Sequence, residues 1–170
     1  GGPRFSKDGS KMYFAKGNIY EYDFISKTTK ELTDSEAYEL NGFDISPNGD
    51  KVIFTSPGLK RDDYSTDNLY AINLDGSDCK QITFFTSGGN SMGAAGASRP
   101  RWSPDGQKIV FNGPDVPNRF SADAIYIIKP DGTDMNKIIG KDKLPGAKDP
   151  SWSSDSKRIV FSGWDVIETP

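Results

Sequence analysis

An all-β fold made of a repeated four-stranded antiparallel unit is what this sequence predicts, and three observations predict it. A pattern of an apolar residue, a Ser, a tight turn and an apolar stretch ending in Phe recurs at residues 4–14, 44–54, 101–111 and 151–161. Its apolar stretches are continuous rather than alternating, as in Val52-Ile53-Phe54, Ile109-Val110-Phe111 and Ile159-Val160-Phe161. A second pattern follows at matching offsets, as Asn18-Ile19-Tyr20, Asn68-Leu69-Tyr70 and Ala124-Ile125-Tyr126. Self-similarity at a few tens of residues marks a repeat architecture, and it decides the fold before any local detail does.

Each unit reads as four strands, a to d. Strand a ends at Phe5, Ile45, Trp102 and Trp152, at spacings of 40, 57 and 50 residues. The a–b turn is clearest in Ser103-Pro104-Asp105-Gly106, where Pro fixes φ, Asp suits the next position and Gly takes the left-handed one. Ser46-Pro47-Asn48-Gly49 and Ser6-Lys7-Asp8-Gly9 follow it. Ser153-Ser154-Asp155-Ser156 lacks the Gly and is expected to carry about 1 kcal/mol of strain. Strand b is apolar on successive residues, which requires both faces of its sheet to be covered. A helix is excluded because these runs are short, β-branched and bounded by Gly and Pro. Strand c is the Asn-Ile-Tyr pattern, and strand d is Lys30-Glu31-Leu32-Thr33, Lys80-Gln81-Ile82-Thr83 or Asn136-Lys137-Ile138-Ile139. Between them lie Asp75-Gly76 and Asp131-Gly132, with Ser26-Lys27-Thr28 in the first unit.

Four-stranded units of about 40–45 residues are the blades of a β-propeller. One propeller segment covers residues 1–170, with blades at about 1–33, 41–83 and 98–139 and a partial fourth at about 148–170. The fourth supplies a, b and a short c at Asp165-Val166-Ile167-Glu168, so about three and a half blades are expected. The expectation is a part of a larger ring, an open arc unless another copy completes it.

Composition narrows the function. A chain of 170 residues is about one domain. Net charge −3, with Lys and Arg scattered singly, gives no electrostatic case for nucleic acid. No run approaches the roughly 18 apolar residues of a membrane span. The single cysteine, Cys79, excludes an internal disulfide and reads as a small residue of an outer strand. The absence of histidine removes Ser-His-Asp and Cys-His machinery from this chain, and no cofactor is implied.

The Ser-Pro-Asp-Gly turn, the apolar residue before it, the b strand ending in Phe, the Ile-Tyr of strand c and the closing Leu-Thr or Ile-Thr resemble the repeats of TolB-type β-propellers. Similar repeats build the propeller domains of prolyl-oligopeptidase-like peptidases. The resemblance spans essentially the whole chain and implies a binding propeller in a periplasmic or otherwise extracytoplasmic setting.

In a propeller, a–b and c–d turns share one face, and b–c and d–a connections share the other. Here the first face has only tight turns. The long connections at 56–67, 84–97, 112–123 and 140–147 all fall on the second, over blades 2 and 3. Long loops on a rigid scaffold are where binding resides. The two long b–c loops match each other before strand c, with Arg61, Asp62 and Tyr64 in one and Arg119 and Phe120 in the other. Their aromatics could stack on a peptide or sugar, or simply cap the blade. Asn90 and Ser91 lie in Gly89-Asn90-Ser91-Met92-Gly93, which matches a nucleophile-elbow pattern. That motif needs a strand–turn–helix and a histidine, so it reads as a flexible loop rather than a catalytic site. Trp164 is an exposed aromatic candidate beside a short link. The acidic clusters at Asp62-Asp63, Asp75-Gly76-Ser77-Asp78 and Asp131-Gly132-Thr133-Asp134 lack the spacing of a calcium loop and read as turn residues, so no metal is expected. Arg4, Asp44, Arg101 and Ser151 hold one equivalent position on strand a, and would line the central channel if they point inward.

These features lead to a non-catalytic scaffold that binds a protein or peptide through the b–c/d–a face, with self-association as one way of completing the ring. The alternatives are a regulatory N-terminal propeller of a prolyl-oligopeptidase-like serine peptidase and a carbohydrate-binding or -processing propeller.

Overall fold

The computed structural model describes residues 2–33, 42–57, 66–86, 96–115, 124–140 and 142–163. These hold fourteen strands and no helix. Blade 1 comprises β1 (Arg4–Phe5), β2 (Lys11–Lys16), β3 (Asn18–Asp23) and β4 (Thr28–Glu31). Blade 2 comprises β5 (Gly42–Ile45), β6 (Lys51–Ser56), β7 (Asn68–Asn73) and β8 (Lys80–Gln81). Blade 3 comprises β9 (Ser98–Trp102), β10 (Ile109–Gly113), β11 (Ala124–Ile128) and β12 (Asn136–Ile139). A two-stranded sheet follows, of β13 (Lys148–Trp152) and β14 (Ile159–Ser162). Every sheet is an antiparallel meander in chain order. The short c proposed at 165–168 lies outside the described residues.

The core is not inside any sheet but between sheets. Along β6, Val52 and Phe54 point forward onto Tyr13, Ile19 and Leu32 of blade 1, while Ile53 points back with Leu69 and Ile82. The back face of blade 2 then meets Trp102, Ile109 and Phe111 of blade 3. Val110 and Ile125 of blade 3 in turn pack with Trp152, Ile159 and Phe161. Successive residues of strand b therefore serve two different interfaces, which is why the run is apolar without alternation. Each such fully buried side chain contributes about 1.5–3 kcal/mol.

The turn serine has a role beyond composition. In all four a–b turns its Oγ accepts the backbone N–H five residues on, from Lys11, Lys51, Lys108 and Arg158, at 2.9 Å each. In three it also donates to the turn Asp, Ser6 to Asp8, Ser103 to Asp105 and Ser153 to Asp155, at 2.6 Å. Gly9, Gly49 and Gly106 take φ of 71°, 73° and 72°, and Ser156 is forced into the same region at 60°. The glycine of the c–d turn is doubly required. Gly76 and Gly132 have φ of 90° and 88°, and a Cβ on either would sit 3.1 Å from a carbonyl of the preceding blade, Leu32 O or Ile82 O.

Strand d is displaced from expectation in two blades. It spans Thr28–Glu31 and Lys80–Gln81, so the Leu-Thr and Ile-Thr pairs fall past its end. The threonines take over the ladder with their side chains: Thr33 Oγ1 accepts the Ile19 N–H and Thr83 Oγ1 the Leu69 N–H, each at 2.8 Å.

Candidate functional site

The first strands of neighbouring blades lie side by side, β1 next to β5, β5 next to β9 and β9 next to β13. This brings the equivalent strand-a positions onto one wall. Arg4 Nε donates to Asp44 Oδ1 at 2.7 Å, and Asp44 Oδ2 accepts the backbone N–H of Trp102 at 2.9 Å. One carboxylate thereby joins blades 1, 2 and 3. Burial pushes its pKa up, against the opposing pull of the Trp102 N–H and the Arg4 charge.

Two residues upstream, the wall has a second pair. Arg99 and Asp149 form an ion pair between blades 3 and 4. Both have left-handed backbones, with φ of 53° and 57°, and both precede a buried proline, Pro100 or Pro150. The registers explain this. Asn112 pairs with Ser98 and Val110 with Arg101, so Arg99 and Pro100 together oppose one residue, a β-bulge. Asp149 and Pro150 make the same bulge in β13, between the pairs of Lys148 with Ser162 and Ser151 with Val160. The buried Asn112 fastens the second bulge: its Nδ2 donates to Ala147 O at 2.9 Å and its Oδ1 accepts the Asp149 N–H at 3.1 Å. Left-handed non-glycine residues cost free energy and concentrate where side chains are re-aimed for function.

Arg101 stands between these pairs and belongs to neither. Its guanidinium donates to Pro100 O at 2.7 Å, and no carboxylate among the described residues forms an ion pair with it. It is half-buried, and burial, reinforced by the charges of Arg4 and Arg99, lowers its pKa against the attraction of Asp44. The wall therefore holds three guanidinium groups and two carboxylates, a net cationic surface suited to a carboxylate or other anion.

Of the residues singled out in the sequence, Arg4, Asp44 and Arg101 are brought into this cluster. Arg61, Asp62, Tyr64, Asn90, Ser91, Arg119, Phe120 and Trp164 lie outside the described residues, as do Asp63 and the motif at 89–93. Arg99 and Asp149 were missed, although Arg-Pro and Asp-Pro at matching positions before Trp102 and Trp152 were a legible signal. The turn acids behave as turn residues: Asp75 Oδ1 accepts the Ser77 N–H and Asp131 Oδ1 the Thr133 N–H, each at 2.9 Å. No cluster of His, Cys, Asp or Glu suited to a metal occurs among the described residues. Two clefts do open on the tight-turn face, of about 910 Å³ between blades 1 and 2 and about 390 Å³ between blades 2 and 3, and both are lined chiefly by turn residues such as Lys7, Pro47 and Asn48.

Known structures share this arrangement of sheets. A TolB-like protein from Agrobacterium tumefaciens superposes with a TM-score of 0.68 at 23% identity, over 95% of this chain and 57% of that one. An oligogalacturonate lyase from Vibrio parahaemolyticus superposes with a TM-score of 0.76 at 14% identity, over 99% of this chain and 47% of that one. The fold is a β-propeller's. At this level the resemblance to TolB-type propellers holds. In sequence, a dipeptidyl-peptidase 5 from Porphyromonas endodontalis is 29% identical over 109 residues, which is 63% of this chain and 14% of that protein. No protein-family model matches the chain. The chain thus spans about half the length of the solved propellers and a small part of the peptidase. No helix among the described residues is long and apolar enough to cross a membrane.

Proposed function

We propose that this chain is a non-catalytic binding propeller whose channel wall takes an acidic segment of a protein or peptide, entering from the face of the b–c and d–a connections over blades 2 and 3. The observation that carries this reading is Arg101, a half-buried guanidinium left without a carboxylate while Arg4 and Arg99 each have one. A desolvated cation without a counter-ion is costly unless a ligand supplies the anion. The absence of histidine from the sequence argues against acyl-transfer chemistry of the usual kind. The setting we assign is extracytoplasmic, on the TolB-like resemblance alone.

Peptides carrying a run of Asp and Glu test this, titrated by fluorescence anisotropy against neutral peptides of equal length. Acidic peptides should bind preferentially and lose affinity as salt rises. Arg101→Met should weaken them by about 10- to 100-fold, the worth of one charge-assisted contact, without moving the thermal midpoint. Equal binding of neutral peptides, or no effect of Arg101→Met, would sink the proposal.

A second reading rests on the likeness to the dipeptidyl-peptidase: the same wall would then belong to the propeller part of a serine peptidase. A Gly-x-Ser-x-Gly with Asp and His encoded beyond Pro170 would favour it, and its absence would count against it.

A further inference from the structure

The three arginines of the channel wall are not held alike. Arg4 and Asp44 keep only 22% and 12% of their side-chain surface in water, and Asp44 is also fixed by the Trp102 N–H at 2.9 Å. Exchanging that partner would strand a buried charge, so Arg4 is committed to the fold. Arg101 forms no ion pair among the described residues. Arg99 lies between these extremes. Both members of its pair with Asp149 keep 52% of their side-chain surface in water, and an ion pair so exposed contributes little to stability. Asp149 is therefore a partner that another carboxylate can replace at small cost.

Arg99 and Arg101 are placed to act together. One residue of β9 separates them, an advance of at most about 7 Å along a strand, and the Arg99 charge is close enough to help lower the Arg101 pKa. The main chain beside them is already occupied. The Trp102 N–H is taken by Asp44, and the Arg101 carbonyl accepts the Trp152 indole N–H at 3.2 Å. The Pro100 carbonyl accepts the Arg101 guanidinium at 2.7 Å, and Pro100 has no N–H to give. A chain lying along this stretch is left to be read by its acids rather than as an added strand.

We propose that Arg99 is the second anion contact of the wall, held by Asp149 until a ligand carboxylate displaces it, so that the wall selects two carboxylates one residue apart in an extended chain. Such selection rests on the binding role proposed above for Arg101, and adds to it a spacing and a resident competitor. In an extended peptide, acids at alternate positions lie on one side, at the same advance of about 6–7 Å that separates the two arginines. The exchange swaps one carboxylate for another at Arg99 and releases Asp149 to water, which already reaches half of its side chain.

Two peptides of identical composition test this by fluorescence anisotropy at fixed salt, one with its two glutamates one residue apart and one with them at opposite ends. Their equal charge cancels the general field of the wall, so the ratio of their affinities reads the spacing. The wild-type chain should favour the closely spaced peptide by about threefold, and Asp149→Asn, which frees Arg99, by about 10- to 30-fold. Asparagine suits the left-handed backbone at this position (φ 57°), so that variant should keep the wild-type circular dichroism spectrum. Arg99→Met, alone or combined with Asp149→Asn, should bring the ratio to about one; the combined variant keeps the net charge, and the single one serves if the Asn variants fail to fold. A ratio that Asp149→Asn leaves at its wild-type value, or a preference that survives loss of Arg99, would overturn the proposal. If Arg101→Met binds both peptides as the wild type does, the reading of Arg101 fails and this one with it. If it weakens both while the ratio ignores Asp149→Asn, only the spacing and the competitor fail.

Discussion

Asp44 is the best place to measure how the blades are tied together. Its two oxygens serve Arg4 of blade 1 and the Trp102 N–H of blade 3, at 2.7 and 2.9 Å. Asp44→Ala leaves a buried amide without an acceptor, which costs about 1–3 kcal/mol. It also strips Arg4 of its partner. Breaking a fully buried pair costs about 3–5 kcal/mol, but the Arg4 side chain keeps 22% of its surface in water, which reduces its share to about 1–2 kcal/mol. The expected total is about 3 kcal/mol, or about 6–12 °C in thermal midpoint for a chain of this size. Asp44→Asn keeps an oxygen for Trp102 and removes a charge that burial already disfavours, so a loss well below that of Asp44→Ala is expected. Urea unfolding at neutral pH measures both. A loss below about 1 kcal/mol for Asp44→Ala, or equal losses for Ala and Asn, would refute the reasoning, because then neither the amide nor the charge matters as argued.

Two further predictions concern the turns. Gly132→Ala and Gly76→Ala should cost more than Gly9→Ala in thermal unfolding: all three have positive φ, worth about 1–2 kcal/mol, but only the first two would drive a Cβ to 3.1 Å from a neighbouring blade's carbonyl, while Gly9 faces open space. Equal losses would remove close approach as the reason for those glycines. The second prediction concerns acid. Asp8 is held at about 2 by the Ser6 hydroxyl and the Ser10 N–H and hydroxyl, and Asp105, Asp155, Asp75 and Asp131 are lowered likewise by a Ser or Thr hydroxyl and a backbone N–H, Asp23 chiefly by backbone N–H groups. A lowered folded pKa stabilises above the unfolded value of 3.8 and loses that contribution as pH falls through the folded value. Asp44, raised by burial, runs the opposite way and favours the fold slightly as it protonates. Stability should therefore hold from pH 7 to about 5 and fall between about 4 and about 2; a midpoint flat across that lower window would contradict the assignment.

The fold was legible because the strongest signals are ones that tertiary structure cannot override. Val52-Ile53-Phe54 can satisfy two interfaces only as a strand between two sheets, and the structure places those residues in two separate clusters. Ser156, which stands where the other units have Gly, was expected to be strained and has a φ of 60°. The ends of strand d were not legible. Backbone pairing in blades 1 and 2 gives way to the hydroxyls of Thr33 and Thr83, and propensity does not distinguish a ladder made by a carbonyl from one made by a side chain. Of the candidate site, Arg4, Asp44 and Arg101 were found through their shared repeat position, and Arg99 and Asp149 were not. Arg99 and Asp149 owe their placement to β-bulges, and the Arg-Pro and Asp-Pro that mark them in the sequence carry no register by themselves.

The charged wall and the blade repeat pull on the same strand in different ways, and that difference is itself an argument about function. Phe5, Ile45, Trp102 and Trp152 alternate along strand a with Arg4, Asp44, Arg101 and Ser151, and Ile45, Trp102 and Trp152 pack into the cores between sheets. Packing demands similarity, and the first series is uniformly apolar. The second series has no such demand on it, and it holds a cation, an anion, a cation and a neutral hydroxyl. If that side served only to neutralise charge between blades, Arg101 would be ion-paired among the described residues, as Arg4 and Arg99 are. Desolvating a guanidinium that only a backbone carbonyl satisfies works against the fold. That cost, at a strand position where the repeat imposes no common residue, is what the anion of the proposed ligand would offset.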